Sequence, residues 1–139
     1  MRSPRGARVA LGFLLLAAAL IGLTAAFAPR DFYDDFPFVA HWVELLPPYN
    51  EHLVTDVGGL YLGFAVLFAW AAWTLDRTLV RAVSTAWLLT ATLHLVFHAG
   101  HLASFGTADA VAEISSLALL LGPAAVAIWA PSDRSSLNA

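Results

Sequence analysis

Ala86-Trp87-Leu88-Leu89-Thr90-Ala91-Thr92-Leu93-His94-Leu95-Val96-Phe97-His98-Ala99-Gly100-His101-Leu102-Ala103 decides the reading of this chain. Its apolar residues are continuous enough for a membrane helix, and three histidines interrupt them as HxxxHxxH. At about 100° per residue, His98 falls about 40° from His94, and His101 about 20° to the other side. The spacing therefore predicts one stripe of three imidazoles. Ionisable groups inside a membrane segment are costly and mark a functional site by default. Neutral imidazole is also the commonest protein ligand for transition metals and haem iron.

The rest of the chain agrees with a membrane setting. Of its 139 residues, 60% are hydrophobic and 12% charged. Mean hydropathy is +0.73. A soluble domain has roughly 45–50% apolar and 25% charged residues. Cysteine is absent, which excludes disulfides, thiolate metal sites and iron–sulfur clusters. A net charge of −3 without a basic patch argues against nucleic acid as a partner. Lysine is absent too, and the Arg and Ala bias hints at a bacterium of high GC content. There is no nucleophile elbow, P-loop or HExxH.

Four apolar stretches, about 8–28, 53–75, 79–102 and 110–130, each supply the roughly 20 residues that cross a hydrocarbon core. The fold expected is all-α, a four-transmembrane-helix bundle forming one domain over 1–139. The first stretch resembles a signal peptide with Ala26-Phe27-Ala28 as a cleavage site, but Pro29 follows directly and the run is long, so it is expected to stay as a helix. Arg2, Arg5, Arg8, Arg77, Arg81 and Arg134 then share one side, and the positive-inside rule makes it cytoplasmic. The expected location is a bacterial cell (inner) membrane, multi-pass, with both termini inside. Trp70, Trp73 and Trp129 near the inner ends, and Phe32 and Tyr33 near the outer, fit aromatic belts.

This topology gathers the ionisable groups outside. All five histidines and eight of the ten acids reach the outer leaflet or the loop above it. Three helices each place an i,i+4 pair there: His52/Asp56, His94/His98 and Asp109/Glu113. Helical bundles build metal sites from such pairs on facing helices. The candidate metal residues are therefore His52, Asp56, His94, His98, His101 and Glu113. Asp56 and Glu113 would be oxygen ligands or partners that orient the imidazoles. Sulfur-free N/O ligation suits Zn, Fe, Mn or Cu.

Blander roles stand beside these. A helix-start hydrogen bond accounts equally well for His52/Asp56, and first-turn placement at the helix dipole is the expected role of Asp109 and Glu113. Asp31, Asp34 and Asp35 read as a solvated loop. Gly59 and Gly63 form GxxxG, a spacing for close helix packing in membranes. Pro123 should kink span 4 and free the Leu119 carbonyl. Residues 36–46 should form a short interfacial helix over the outer mouth, Asn50 should cap span 2, and the tail from Pro131 should be disordered.

Three functions follow as expectations. One is an outward-facing metal site, either catalytic in a metal-dependent membrane enzyme or structural. Another is haem b held by two histidines of different spans, for electron transfer. The last is non-enzymatic: a transporter, or a lipid- or quinone-binding accessory subunit with a His/Asp/Glu proton relay. The expected partners are the lipid bilayer, a lipid or quinone, and either a second copy or a larger membrane complex.

Ala28-Pro29-Arg30-Asp31-Phe32-Tyr33-Asp34-Asp35-Phe36-Pro37, with Pro48-Tyr49-Asn50-Glu51-His52-Leu53-Val54-Thr55-Asp56-Val57-Gly58 and His94-Leu95-Val96-Phe97-His98, resembles small four-helix membrane proteins of actinobacteria. That resemblance covers most of the chain and implies the fold without a reaction. His94xxxHis98xxHis101 is similar to part of the histidine boxes of membrane fatty-acid hydroxylases and desaturases, whose di-iron centres use more histidines than the five here and face the cytoplasm. Their activity is not carried across.

Overall fold

A computed structural model describes residues 4–38, 40–46 and 48–129. The described residues are helical or in turns: α1 Pro4–Phe27, α2 Pro29–Asp35, α3 Glu51–Thr74, α4 Arg77–Ala99, a 3-10 turn Leu102–Ser104, α5 Thr107–Leu119 and α6 Leu121–Ile128. Four helical stretches are long and apolar enough to cross a membrane: Arg5–Phe27, Glu51–Thr74, Arg77–Ala99 and Thr107–Ile128. At most 33% of the most apolar window of any of them is buried inside the protein, so much of this apolar surface needs lipid or a partner as its solvent. The Pro131 tail and the Ala130 end of span 4 lie outside the described residues.

Local chemistry sets the helix ends. Asn50 accepts the Leu53 N–H at 3.1 Å and caps α3 as expected. Leu75 closes α3 in the left-handed region at φ 51°, and Asp76 at once caps α4 through the Leu79 N–H at 2.8 Å. This two-residue link makes α3 and α4 neighbours. Pro29 holds Ala28 out of helical geometry and opens α2 from its first turn.

The short helix after α1 therefore lies at Pro29–Asp35 and not at 36–46. Phe36 is extended ahead of Pro37, and Phe38 and His41 take φ of 56° and 57°, which no right-handed helix accepts. Residues 42–45 are a turn.

α1 packs along α3, and both α1 and α4 contact α6. A Cβ on Gly58 would strike the backbone of Ala25 and Ala26, and one on Gly22 would lie 2.9 Å from the Leu62 backbone nitrogen. The close approach is thus Gly22 and Gly58 between α1 and α3. Gly59 and Gly63 have open space where a Cβ would stand and do not form the contact that GxxxG suggested. They face away because a one-residue shift turns a helix face by about 100°.

The core contains Leu11, Leu14, Ala18, Phe68, Ala71, Trp87, Ala124 and Ala127. Trp87 sits edge-on to Tyr61, Phe64 and Phe68, with centroids 5.2–5.6 Å away. Pro123 does break span 4: α5 ends at Leu119 and α6 begins at Leu121. It is the Leu120 carbonyl that accepts the Trp87 indole N–H, at 3.2 Å. A polar atom in the core is thereby satisfied by the backbone of the kink.

Candidate site at the end of α4

His98 lies in the last turn of α4, and the link 100–106 returns the chain so that α5 packs beside it. Glu113, one and a half turns into α5, is then 2% exposed and faces His98, itself 8% exposed. His98 Nδ1–H donates to Glu113 Oε1 at 2.5 Å. The other carboxylate oxygen, Oε2, is buried with no hydrogen-bond partner. Burying a carboxylate in this way is costly unless its charge is matched, so the pair stands or falls together. Glu113 is therefore not the first-turn dipole residue expected from its position. Asp109 does lie in the first turn of α5 as expected, behind Gly106 at the cap position, and its Oδ1 accepts the Trp42 indole N–H at 3.3 Å.

His94 shares the stripe as expected, its ring 4.4 Å from that of His98. It lies about 7.5 Å inside the α4 terminus, at about 1.5 Å per residue. It is exposed on the flank of the bundle and also lines a cavity of about 10 Å³ with Tyr61, Trp87, Thr90, Leu117 and Leu120. That is room for about one water.

His101 leaves the stripe. α4 stops at Ala99, so helical spacing no longer places the residue. Its Nδ1–H donates to the Phe97 carbonyl at 2.7 Å, and its ring stacks on Phe97 at 4.1 Å. His52 and Asp56 stay exposed at the start of α3 and pair with each other, His52 Nε2 lying 3.1 Å from Asp56 Oδ2. Of the six candidate ligands, the structure thus joins His94, His98 and Glu113 and leaves His52, Asp56 and His101 out. Among the described residues, no group of three or more His, Asp or Glu side chains is arranged to hold a metal ion. His98 is also the one buried histidine among them, so no second span offers a buried imidazole for haem.

A cap of side chains sits at the same end. Arg30 pairs with Asp34 at 2.7 Å and lies over the rings of Tyr49 and Tyr33, at 5.0 and 5.8 Å. Asp34 and these tyrosines hold the Arg30 guanidinium above its ordinary pKa. The Tyr49 hydroxyl is also raised, by desolvation first and then by the Glu51 carboxylate. His41 lies 3.7 Å from Asp35 and 3.6 Å from Glu44. The sequence reading of Asp31, Asp34 and Asp35 as a solvated loop does not hold: all three lie in α2, which puts Arg30 and Asp34 four residues apart on one helical face.

No family model, curated protein or solved structure matches the chain.

Proposed function

We propose that this is a multi-pass protein of a bacterial cell membrane, with cytoplasmic termini, serving as a non-enzymatic accessory subunit that binds a quinone at His98 and Glu113. The observation that carries the reading is the buried His98–Glu113 pair standing behind His94, which is open to the flank of the bundle. A ligand for such a site arrives from the acyl region and carries hydrogen-bond acceptors. A quinone has an apolar tail and two carbonyls. With His98 protonated to match the Glu113 charge, its Nδ1–H donates to Glu113 and its Nε2–H donates to one quinone carbonyl. The sidedness is supported by Arg8, whose Nε donates to the Ala72 carbonyl at 3.3 Å and so lies at the α3–α4 link beside Arg77 and Arg81. The bundle end that carries the site would then face outward.

A metal reading has one observation in its favour. His94 and His98 are adjacent, a carboxylate orients one of them, and Glu113 Oε2 lacks a partner. Because no three such side chains are arranged around one point among the described residues, Zn, Fe, Mn or Cu would need His94 and Glu113 to shift towards a common centre before acting as a Lewis acid or a structural ion.

Titrating a short-chain quinone into detergent-purified protein and following Trp fluorescence tests the first reading. Saturable quenching lost in both His98→Ala and Glu113→Gln is expected. Elemental analysis and an optical spectrum run on the same sample. Stoichiometric metal that disappears in His94→Ala, or a Soret band, would replace the quinone by the metal or haem alternative.

A further inference from the structure

A second cavity, of about 270 Å³, lies at the junction of α1 and α2, away from His98. Drug-sized pockets begin near about 300 Å³, so this one suits a small headgroup. Phe32, Phe36 and Phe38 line it with Asp31 and Asp35. The Phe32 and Phe36 rings are tilted by 32° with centroids 4.6 Å apart, and Phe38 stands 76% exposed at the rim. Leu20 forms the floor towards α1, and its neighbour one turn down, Leu16, is 71% exposed. A path of apolar surface therefore leads from the cavity along α1.

The chemistry of the lining selects its occupant. Aromatic faces attract cations, most strongly those that shed water easily. Two carboxylates on one side of a seven-residue helix add negative charge at the same place. The nearby guanidinium does not supply the counter-charge, because Arg30 is engaged by Asp34 and the two tyrosines. Asp31 has no ion-pair partner among the described residues, and Asp35 has only the His41 ring at 3.7 Å. An inorganic cation would not exploit the three rings, and a neutral lipid would leave both carboxylates unmatched.

The geometry points to a binding site for the quaternary ammonium headgroup of an amphiphile, held by Phe32, Phe36, Phe38, Asp31 and Asp35 with its tail on Leu20. Both a membrane lipid and a soluble choline-like cation carry this headgroup. The tail on α1 favours the lipid as source.

Calorimetric titration of the full chain in a non-ionic detergent tests the site with hexyltrimethylammonium, tetramethylammonium and hexyl sulfate. Hexyltrimethylammonium is expected to saturate and hexyl sulfate to show no saturable heat. Asp31→Asn/Asp35→Asn should weaken the cation roughly tenfold, and Phe38→Leu, at the exposed rim, severalfold. Far-UV circular dichroism and gel filtration show which variants are folded, and Phe38→Leu keeps the test alive if the double variant is not. Stronger binding of the tailed cation assigns the source to a membrane amphiphile, and equal binding assigns it to a soluble cation; both retain the site. Equal binding of hexyl sulfate, or cation affinity unchanged in both folded variants, overturns it.

Discussion

Gly58→Ala places one methyl group where α1 and α3 touch most closely. That Cβ would meet the backbone of Ala25 and Ala26 at separations real side chains do not show. Neither contact is with a flexible side chain, so the helices must part by roughly 1 Å to restore van der Waals distance. A gap of about 0.5–1 Å forfeits a quarter to a half of each dispersion contact across it, and overpacking of this kind costs about 1–3 kcal/mol. Alanine returns up to about 1 kcal/mol through helix propensity, leaving a net loss of up to about 2 kcal/mol when that return is complete. Gly59→Ala and Gly63→Ala meet nothing within 4 Å and keep only the propensity gain. The sign therefore differs between adjacent glycines. Titrating SDS into detergent-purified protein and following helix loss by circular dichroism measures it. Gly58→Ala should unfold at a lower SDS fraction than the wild type, and the other two at the same fraction or higher. Equal stability of Gly58→Ala and the wild type, or an equal loss in Gly59→Ala, would refute the packing of α1 on α3.

Asn50→Ala removes the cap of α3 and should cost about 1 kcal/mol in the same SDS titration; an unchanged midpoint would show the cap to be dispensable. Cysteine labelling in this cysteine-free chain checks sidedness: in intact cells an impermeant maleimide should label Ser104→Cys and not Thr78→Cys, and the reverse pattern inverts the topology. Tyr49 should ionise above the ordinary value of 10. Because its folded-state pKa is raised, the stability it contributes is complete below pH 10 and is lost as pH rises through the folded value. An ultraviolet phenolate titration should lose a late component in Tyr49→Phe, and an unaltered curve would count against the Arg30–Tyr49–Glu51 cap.

The spans were legible because twenty-residue apolar runs have little else to become. The cap at Asn50 was legible because its side chain bonds its own backbone, a local matter, and Asp76, not singled out in the sequence, caps α4 in the same way. Stripe geometry placed His94 beside His98 correctly for as long as the helix lasted. It failed at His101, since nothing in the apolar pattern announces that α4 stops at Ala99. Glu113 was visible as a candidate partner, but its pairing with His98 depends on how the 100–106 link returns the chain. The convergence of His52 and Asp56 on that site assumed that α3 turns their face inward. Instead α3 turns Gly58 onto α1, and His52 and Asp56 remain exposed. Helix rotation is set by packing partners, which an alternation of polar and apolar residues specifies poorly when lipid and protein are equally apolar.

Photolabelling with an azidoquinone, followed by peptide mapping, tests the proposed site most directly. The account predicts label on α4 and α5 around His94–Leu117, competed by unlabelled quinone and abolished in His98→Ala. Label spread over exposed apolar positions such as Leu16 and Val66, insensitive to competitor and to His98→Ala, would contradict it.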